Sequence, residues 1–377
     1  DEHFSCSHDH HAGHGMEIYR CAAAIPEQSC QLRFADVDAH HRLPPCGQSA
    51  HRRAEKAHFV PHYVSALPRH AAHRGGDPAL YRLGSHGVPV YCDGARVQRA
   101  DAGQPVLDET TDKDLLRRAC NGVHRYGGKL FFQLSHSGIK GVESVNGAPP
   151  KHPEDFSLEE LDRLVAQFAF AAKKCEDCGA DGVQIHNAHG YLLSNFLNPE
   201  ENLRTDEYGG SLANRFRLIE RILRAVRAAC GAEFPMIVKA DSNGCGDLSA
   251  LLRLYERCGV DGVEVSGIDF NRRAGQKTPF YLDALKAARE GIGIPLFPVG
   301  GVFSRRTAEE ILSQGFPLVS MSRALICEPD FAAKLKSGAQ DGSKCLACNG
   351  CCTIYRKRFV RCVQHTEEIE QFQMIPW

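Results

Sequence analysis

The residues best equipped for chemistry lie in two places along this chain. Near its C-terminal end, Cys345, Cys348, Cys352 and Cys362 stand in the run KCLACNGCCTIYRKRFVRC, with two, three and nine residues between successive members. Cys351 is a fifth candidate, so the third member is either Cys351 or Cys352. Four thiolates this close suit a tetrahedral zinc ion as readily as an iron–sulfur cluster. The second place is the segment HNAHGY, which holds His186, His189 and Tyr191. Two imidazoles at one strand end can hold a single substrate oxygen and polarise it, and a phenol beside them can deliver a proton.

Those residues need a scaffold, and the text from residue 108 onward supplies one. Residues 112–128 read as an amphipathic helix with Leu115, Leu116, Ala119 and Val123 on one face, stopped by Gly127 and Gly128. KLFFQLSH follows as a buried strand. Residues 157–179 form a helix opened by a capping box from Ser157 to Glu160. The alternation continues through the strands GVQIHNA, PMIVKAD, GVEVSG, PLFPVGG and PLVSMSR, with helices between them. The last of those helices, TAEEILSQG, is expected to start on a capping box from Thr307 to Glu310. Short strands that are apolar on both faces belong to a parallel sheet covered by helices. Six such units predict strands three to eight of a (β/α)8 barrel, an α/β fold. An open doubly wound sheet fits less well, because no glycine-rich dinucleotide loop follows a strand. The first two strands would have to come from residues 16–107, where no periodic pattern is visible.

Barrel enzymes place reactive groups at the C-terminal ends of their strands. Read that way, the third strand ends in Gln133, Ser135 and His136, and the fourth in His186, Asn187, His189 and Tyr191. The fifth ends in Lys239 and Asp241, and the sixth in Glu264 and Ser266. The Gly300–Gly301 pair after strand seven and Ser322–Arg323 after strand eight suit a phosphate. Backbone N–H groups approach it there and a guanidinium completes its charge. Lys239 is placed to stabilise negative charge on a bound ring or to pair with Asp241 or Glu264. Cys175 and Cys178, beside Lys174, read as ordinary helix residues.

Composition narrows the function classes. A hydrophobic share of 43% and a charged share of 24% are those of a globular protein. A formal net charge of −1 offers no field for nucleic acid or an anionic membrane. No apolar run reaches a membrane span and no signal-peptide core opens the chain, and singly scattered cysteines point to a reduced, cytoplasmic compartment. Thirteen of the 19 histidines fall in the first 100 residues, in Arg-, His-, Pro- and Cys-rich text. Residues 1–15, which precede the first methionine, read as a tag-like or upstream extension.

Together, HNAHGYLLSNFLNPEENLRTDEYGGSLANR, KLFFQLSHSG, PLFPVGG and MSRALICEPDF resemble the old yellow enzyme family of FMN-dependent oxidoreductases over residues 108 to 362. The cysteine run is similar to that of the iron–sulfur subgroup containing 2,4-dienoyl-CoA reductase and trimethylamine dehydrogenase, with a shorter last gap. The resemblance implies that Gln133 bonds the flavin ring, that Lys239 lies near it, and that Gly300, Gly301, Ser322 and Arg323 hold the FMN phosphate. It implies that His186 and His189 bind the substrate oxygen, that Tyr191 protonates the α-carbon, and that Cys345, Cys348, Cys352 and Cys362 carry a 4Fe–4S cluster. The expected reaction is hydride transfer from NAD(P)H, through the flavin, to an activated C=C of an enoyl or enone substrate.

The implied organisation is an extension over 1–15 and an atypical segment over 16–107 that supplies strands one and two. An FMN-binding barrel follows over 108–335, and a cysteine-rich iron–sulfur segment over 336–377. An abrupt onset of the resemblance at 108 is also what a shifted reading frame upstream would produce. Expected partners are a small-molecule substrate, a separate electron-donor protein and a second copy of the chain, with neither nucleic acid nor membrane. The competing readings are an amine dehydrogenase of the same family, and a non-catalytic barrel whose cysteines bind structural zinc.

Overall fold

The computed structural model describes residues 87–92 and 353–354 through their backbone, and residues 106–352 and 362–364 in full. The tag-like reading of residues 1–15, most of the atypical segment and residues 365–377 lie outside the described residues.

Seven parallel strands form one sheet in the order β2-β1-β3-β4-β5-β6-β7. They are β1 (Gly87–Cys92), β2 (Val106–Leu107), β3 (Phe131–Ser135), β4 (Gly182–Asn187), β5 (Met236–Asp241), β6 (Gly262–Ser266) and β7 (Leu296–Pro298). The helices between them are α1 (Lys113–His124), α2 (Glu143–Asn146), α3 (Leu158–Asp177), α4 (Leu192–Leu197), α5 (Leu212–Cys230), α6 (Leu248–Arg257), α7 (Leu282–Ala288) and α8 (Arg305–Ser313). After α8 come the short helices α9 (Arg323–Cys327), α10 (Phe331–Ser337) and α11 (Cys351–Ile354).

The sheet's edges lie where the sequence pattern is weakest, and β1 and β2 come from the segment over 16–107. β1 pairs in parallel with β3, from Gly87 opposite Phe131 to Tyr91 opposite Ser135, so a strand does precede residue 108 where none was visible. At the other edge, Val319 and Ser320 stand at the expected eighth strand position, where Ser320 bridges Val299 in parallel among the described residues.

Period-two alternation sorts the strand side chains into two layers. Phe132, Leu134, Val183, Ile185, Met236, Val238, Val263 and Val265 face the helices and join the main core. Phe131, Ile237, Phe297 and Leu318 form a separate apolar cluster inside the sheet's curve, at the N-terminal ends of the strands. Gly182 and Gly262 make room for it, since a Cβ on Gly182 would meet the Phe131 ring at 2.3 Å and one on Gly262 the Phe297 ring at 3.4 Å.

Above that cluster the interior turns polar. Gln133 donates to Gln184 at 2.6 Å, Gln184 donates to Glu264 at 2.8 Å, and the Lys239 ammonium lies 3.5 Å from the same carboxylate. Four buried polar side chains from β3, β4, β5 and β6 thus satisfy one another, as groups removed from water must.

The helices follow their sequence signals with one exception. α3 starts on the Ser157–Glu160 capping box and buries Leu161, Leu164, Phe168, Ala171, Ala172 and Cys175. Burying one such large apolar side chain contributes about 1.5–3 kcal/mol. Cys175 and Cys178 are buried, and the Lys174 ammonium caps the carbonyls of Asp108 and Glu109. α8 does not start at Thr307. Ser304 is its N-cap, with its hydroxyl accepting the Thr307 N–H at 3.2 Å, and Thr307 is buried within the first turn. The earlier of two hydroxyl residues took the cap because Arg305 and Arg306 extend the helix by a turn.

Candidate active site

β4 carries the centre of the site. His186 ends the strand's inward row, and the chain then turns sharply through His189 and Gly190, both at positive φ (63° and 68°), before α4 begins. The turn brings three rings together. His186 lies edge-on to His189 with centroids 5.1 Å apart, and its centroid is 5.0 Å from that of Tyr191. All three rings are buried. The Lys140 ammonium sits 5.2 Å above the Tyr191 ring and donates to the His189 carbonyl.

The neighbouring strands fix His189. Its main-chain N–H lies 2.9 and 2.8 Å from the two carboxylate oxygens of Asp241 on β5, and its Nε2 is 2.8 Å from the Ser266 hydroxyl on β6. Burial pushes the Asp241 carboxyl up to about 6, against the opposing pull of the His189 N–H, the Ser194 hydroxyl and the charges of Lys140 and Lys239. His136, after β3, is pushed down to about 4 by burial and by the nearby Lys151 charge. Its Nδ1 accepts the Gly138 N–H at 3.2 Å, which requires the neutral ring.

The other expected residues divide into two groups. Gln133 and Lys239 lie in the polar layer below the rings, where burial lowers the Lys239 pKa and Glu264, rather than Asp241, is its ion-pair partner. Gly300, Gly301, Ser322 and Arg323 adjoin each other across the Val299–Ser320 bridge. The glycine pair has a packing reason of its own. A Cβ on Gly300 would meet the Phe280 ring at 2.5 Å, and one on Gly301 the Thr278 carbonyl at 1.7 Å, with φ of 103° and 79°. The Arg323 guanidinium reaches the cysteine run. It donates to the Ala347 carbonyl at 3.1 Å and to the Asn349 side chain, and stacks 5.3 Å from the Phe303 ring.

Two features favour a polar ligand in the barrel mouth. The hydroxyls of Ser135 and Ser320 are buried without a hydrogen-bond partner. Both residues occupy inward positions at the C-terminal ends of strand positions three and eight. Buried hydroxyls left unsatisfied cost free energy, and a ligand carrying donors and acceptors removes that cost. The residues present therefore fit a flavin.

In the cysteine run, Cys345 lies close enough to Cys351 and Cys362 for their charges to act on its thiol. Cys345 and Cys351 are buried, Cys348 is exposed, and Cys352 and Cys362 are intermediate. The thiols of Cys351 and Cys352 are hydrogen-bonded to each other, as are those of Cys362 and Cys327 of α9, which raises the Cys351 and Cys327 thiol pKa values further than burial alone. Among the described residues, no group of three or more His, Cys, Asp or Glu side chains is arranged to hold a metal ion. Glu328 anchors the run's start, accepting from the Lys344 N–H at 2.6 Å and the Ser343 hydroxyl at 2.8 Å. Residue spacing gave no hint of Ser194, Lys140, Phe270 or Cys327. Each meets the site through a contact distant in sequence.

Comparison with known proteins places this geometry. Residues 99–243 match the model of the NADH:flavin oxidoreductase / NADH oxidase family. The chain is 29% identical to the NADH oxidase of Thermoanaerobacter brockii over 64% of its own length and 42% of that protein's. It is 32% identical to the NADPH dehydrogenase of Clostridium acetobutylicum, over 57% of its length and 70% of the relative's. It thus spans less than half of the first of these relatives. Among solved structures, a 2-naphthoyl-CoA reductase complex superposes with a TM-score of 0.64 at 20% identity, over 72% of this chain and 47% of that one. The old yellow enzyme homologue of Zymomonas mobilis superposes with a TM-score of 0.57 at 23% identity, over 68% and 79%. These two matches make the fold a TIM barrel. The family match begins at residue 99, before the point where the periodic text starts, and takes in β3, β4 and β5 with the ring cluster between them. With a relative above 30% identity covered over most of its length, the chain belongs to the NADH:flavin oxidoreductase / NADH oxidase family.

Proposed function

We propose that this chain binds FMN and uses NAD(P)H to reduce the activated C=C bond of an enoyl or enone substrate. The observation that carries the reading is the buried cluster of His186, His189 and Tyr191 at the end of β4, below a barrel mouth with two unsatisfied serine hydroxyls. FMN, when bound, supplies the hydride that reaches the substrate β-carbon. Gln133 and Lys239 from the polar layer, together with Gly300, Gly301, Ser322 and Arg323, would hold it. Arg323 would then have to share its guanidinium with the cysteine run.

The chain's own residues do the rest. His186 and His189 hold the substrate carbonyl oxygen and draw electron density from the β-carbon, an electrostatic task that buried donors perform better than exposed ones. Tyr191 holds a phenolic proton for the α-carbon, and complete burial keeps that proton from bulk water. Two oxygen-directed imidazoles suit a carbonyl substrate better than an amine, which sets the amine dehydrogenase reading second.

The cysteine spacing further supports a 4Fe–4S cluster on Cys345, Cys348, Cys352 and Cys362. Its assembly would require Cys352 and Cys362 to leave their present thiol partners. No step of the reaction is derived through it.

An absorption spectrum taken without oxygen, before and after dithionite, tests the reading. Flavin bands that also bleach with NADPH, and return when 2-cyclohexenone is added, are the expected result. A colourless protein with zinc and no iron would refute it in favour of the non-catalytic barrel.

A further inference from the structure

His189 is held at φ 63°, a left-handed conformation that side chains other than glycine seldom take. Something must compensate, and the surroundings show what does. Both oxygens of the buried Asp241 carboxylate face the His189 N–H at 2.9 and 2.8 Å. The Ser194 hydroxyl donates to Asp241 Oδ2 at 2.7 Å and accepts the Gly190 N–H at 3.1 Å, closing a ring of bonds around the turn. Lys140 holds the carbonyl of the same residue, and Ser266 and Phe270 hold its imidazole, Ser266 at 2.8 Å and Phe270 with ring centroids 4.9 Å apart. Residue 189 is gripped at its N–H, its C=O and its ring, and Asp241 makes the grip on the N–H.

We propose that Asp241 is a positioning residue: its carboxylate locks the turn after β4 so that the His189 imidazole stands beside His186 and Tyr191, facing the substrate oxygen. The part of this concerning substrate rests on the proposed function, whereas the lock itself does not. The groups that face Asp241 come from several elements. They are Lys140 from the turn after β3, Lys239 from β5 itself, His189 and Ser194 after β4, Cys245 beyond β5, and Tyr255 from α6. None of the acidic side chains on these elements faces its carboxylate, and the two lysines are the charges that favour its ionised form.

The test combines two readouts. In protein carrying 15N-labelled histidine, the His189 amide, identified by its loss in His189→Gln, is expected to shift with a midpoint near pH 6 and to stop doing so in Asp241→Asn. In steady-state assays with NADPH and 2-cyclohexenone, Asp241→Asn is expected to raise the enone KM about tenfold, the scale of one charge-assisted hydrogen bond, and to change kcat less than threefold. An amide that ignores pH from 3 to 7.5 in the unsubstituted protein and keeps its resonance in Asp241→Asn overturns the lock. An amide that titrates alongside an unchanged KM overturns the positioning role. Absence of enone turnover in the unsubstituted protein refutes the proposed function, while the amide titration still decides whether Asp241 holds the turn.

Discussion

Two buried groups in this barrel titrate in opposite senses, and their effects on stability are expected to hide each other. Asp241 moves from an ordinary 3.8 to about 6 on folding, so the folded chain binds its proton more tightly than the unfolded one. Stability from this group is complete below pH 3.8 and is lost as pH rises through 6, a change of about 3 kcal/mol at 1.36 kcal/mol per unit. His136 moves from 6.5 to about 4, so here the unfolded chain binds the proton more tightly. Its contribution is present above pH 6.5 and is lost as pH falls through 4, a change of about 3.4 kcal/mol in the opposite direction. In the intact protein the two slopes cancel to within about 1 kcal/mol across pH 4 to 6.5. Asp241→Asn is expected to unmask His136, so that unfolding free energy rises by about 3 kcal/mol over that range relative to the unsubstituted protein. His136→Asn, whose side-chain oxygen can still accept the Gly138 N–H, unmasks Asp241 and reverses the slope. Urea unfolding followed by far-ultraviolet circular dichroism at five pH values supplies the curves, and subtracting the unsubstituted protein removes every other titrating group. Curves for both variants that run parallel to the unsubstituted protein would show that neither group is buried in its uncharged form, and would refute the reasoning.

Two further substitutions probe the frame around the site. Gly301→Ala places a methyl 1.7 Å from the Thr278 carbonyl at φ 79°, whereas Gly315→Ala meets nothing within 4 Å at φ 87°. Chemical denaturation is expected to show a loss of about 1 kcal/mol for Gly315→Ala and about 2–4 kcal/mol for Gly301→Ala, and equal losses would remove the close approach as the reason for the glycine. Lys239→Met removes the ammonium that faces the buried Glu264 carboxylate, at an expected cost of about 3–5 kcal/mol. Adding Glu264→Gln is expected to return most of that stability in the same assay, and a double variant no more stable than the single one would show that the ion pair is not what holds the layer.

Much of this architecture was legible because buried parallel strands cannot hide their composition. FFQLS, GVQIHN, MIVKAD and GVEVS are each buried along their full length, and their apolar runs alternate with helices such as α1, α3, α5 and α6, whose N-caps are written in serine and aspartate. β1 was not legible for a local reason. GVPVYC is six residues long and holds Pro89, which lacks a backbone N–H and by rule argues against a strand with partners on both sides. β1 has such partners, β2 and β3, and only the register of Gly87 to Tyr91 against β3 reveals it. At the eighth position PLVSMSR reads as a strand, and among the described residues its Ser320 bridges Val299 in parallel before α9 starts at Arg323.

The site shows where reading by position stops. Strand-end logic singled out His186, His189 and Tyr191, whose rings the structure brings together, because three polar groups within six residues have few packing explanations. The same logic singled out Gln133 and Lys239, and each sits at an inward position of the polar layer, opposite Gln184 and Glu264. The signal for that layer is a polar residue on the inward row of four adjacent strands, and it becomes visible only once the strands are in register. Arg323 carries the argument furthest. A guanidinium after the last strand position suggests an anion, but its bonds run to Ala347 and Asn349. Asn349 also donates to the Asn271 carbonyl at 3.2 Å, beside Phe270, whose ring packs on His189. The cysteine run and the ring cluster are therefore joined by one chain of contacts through the loop after β6.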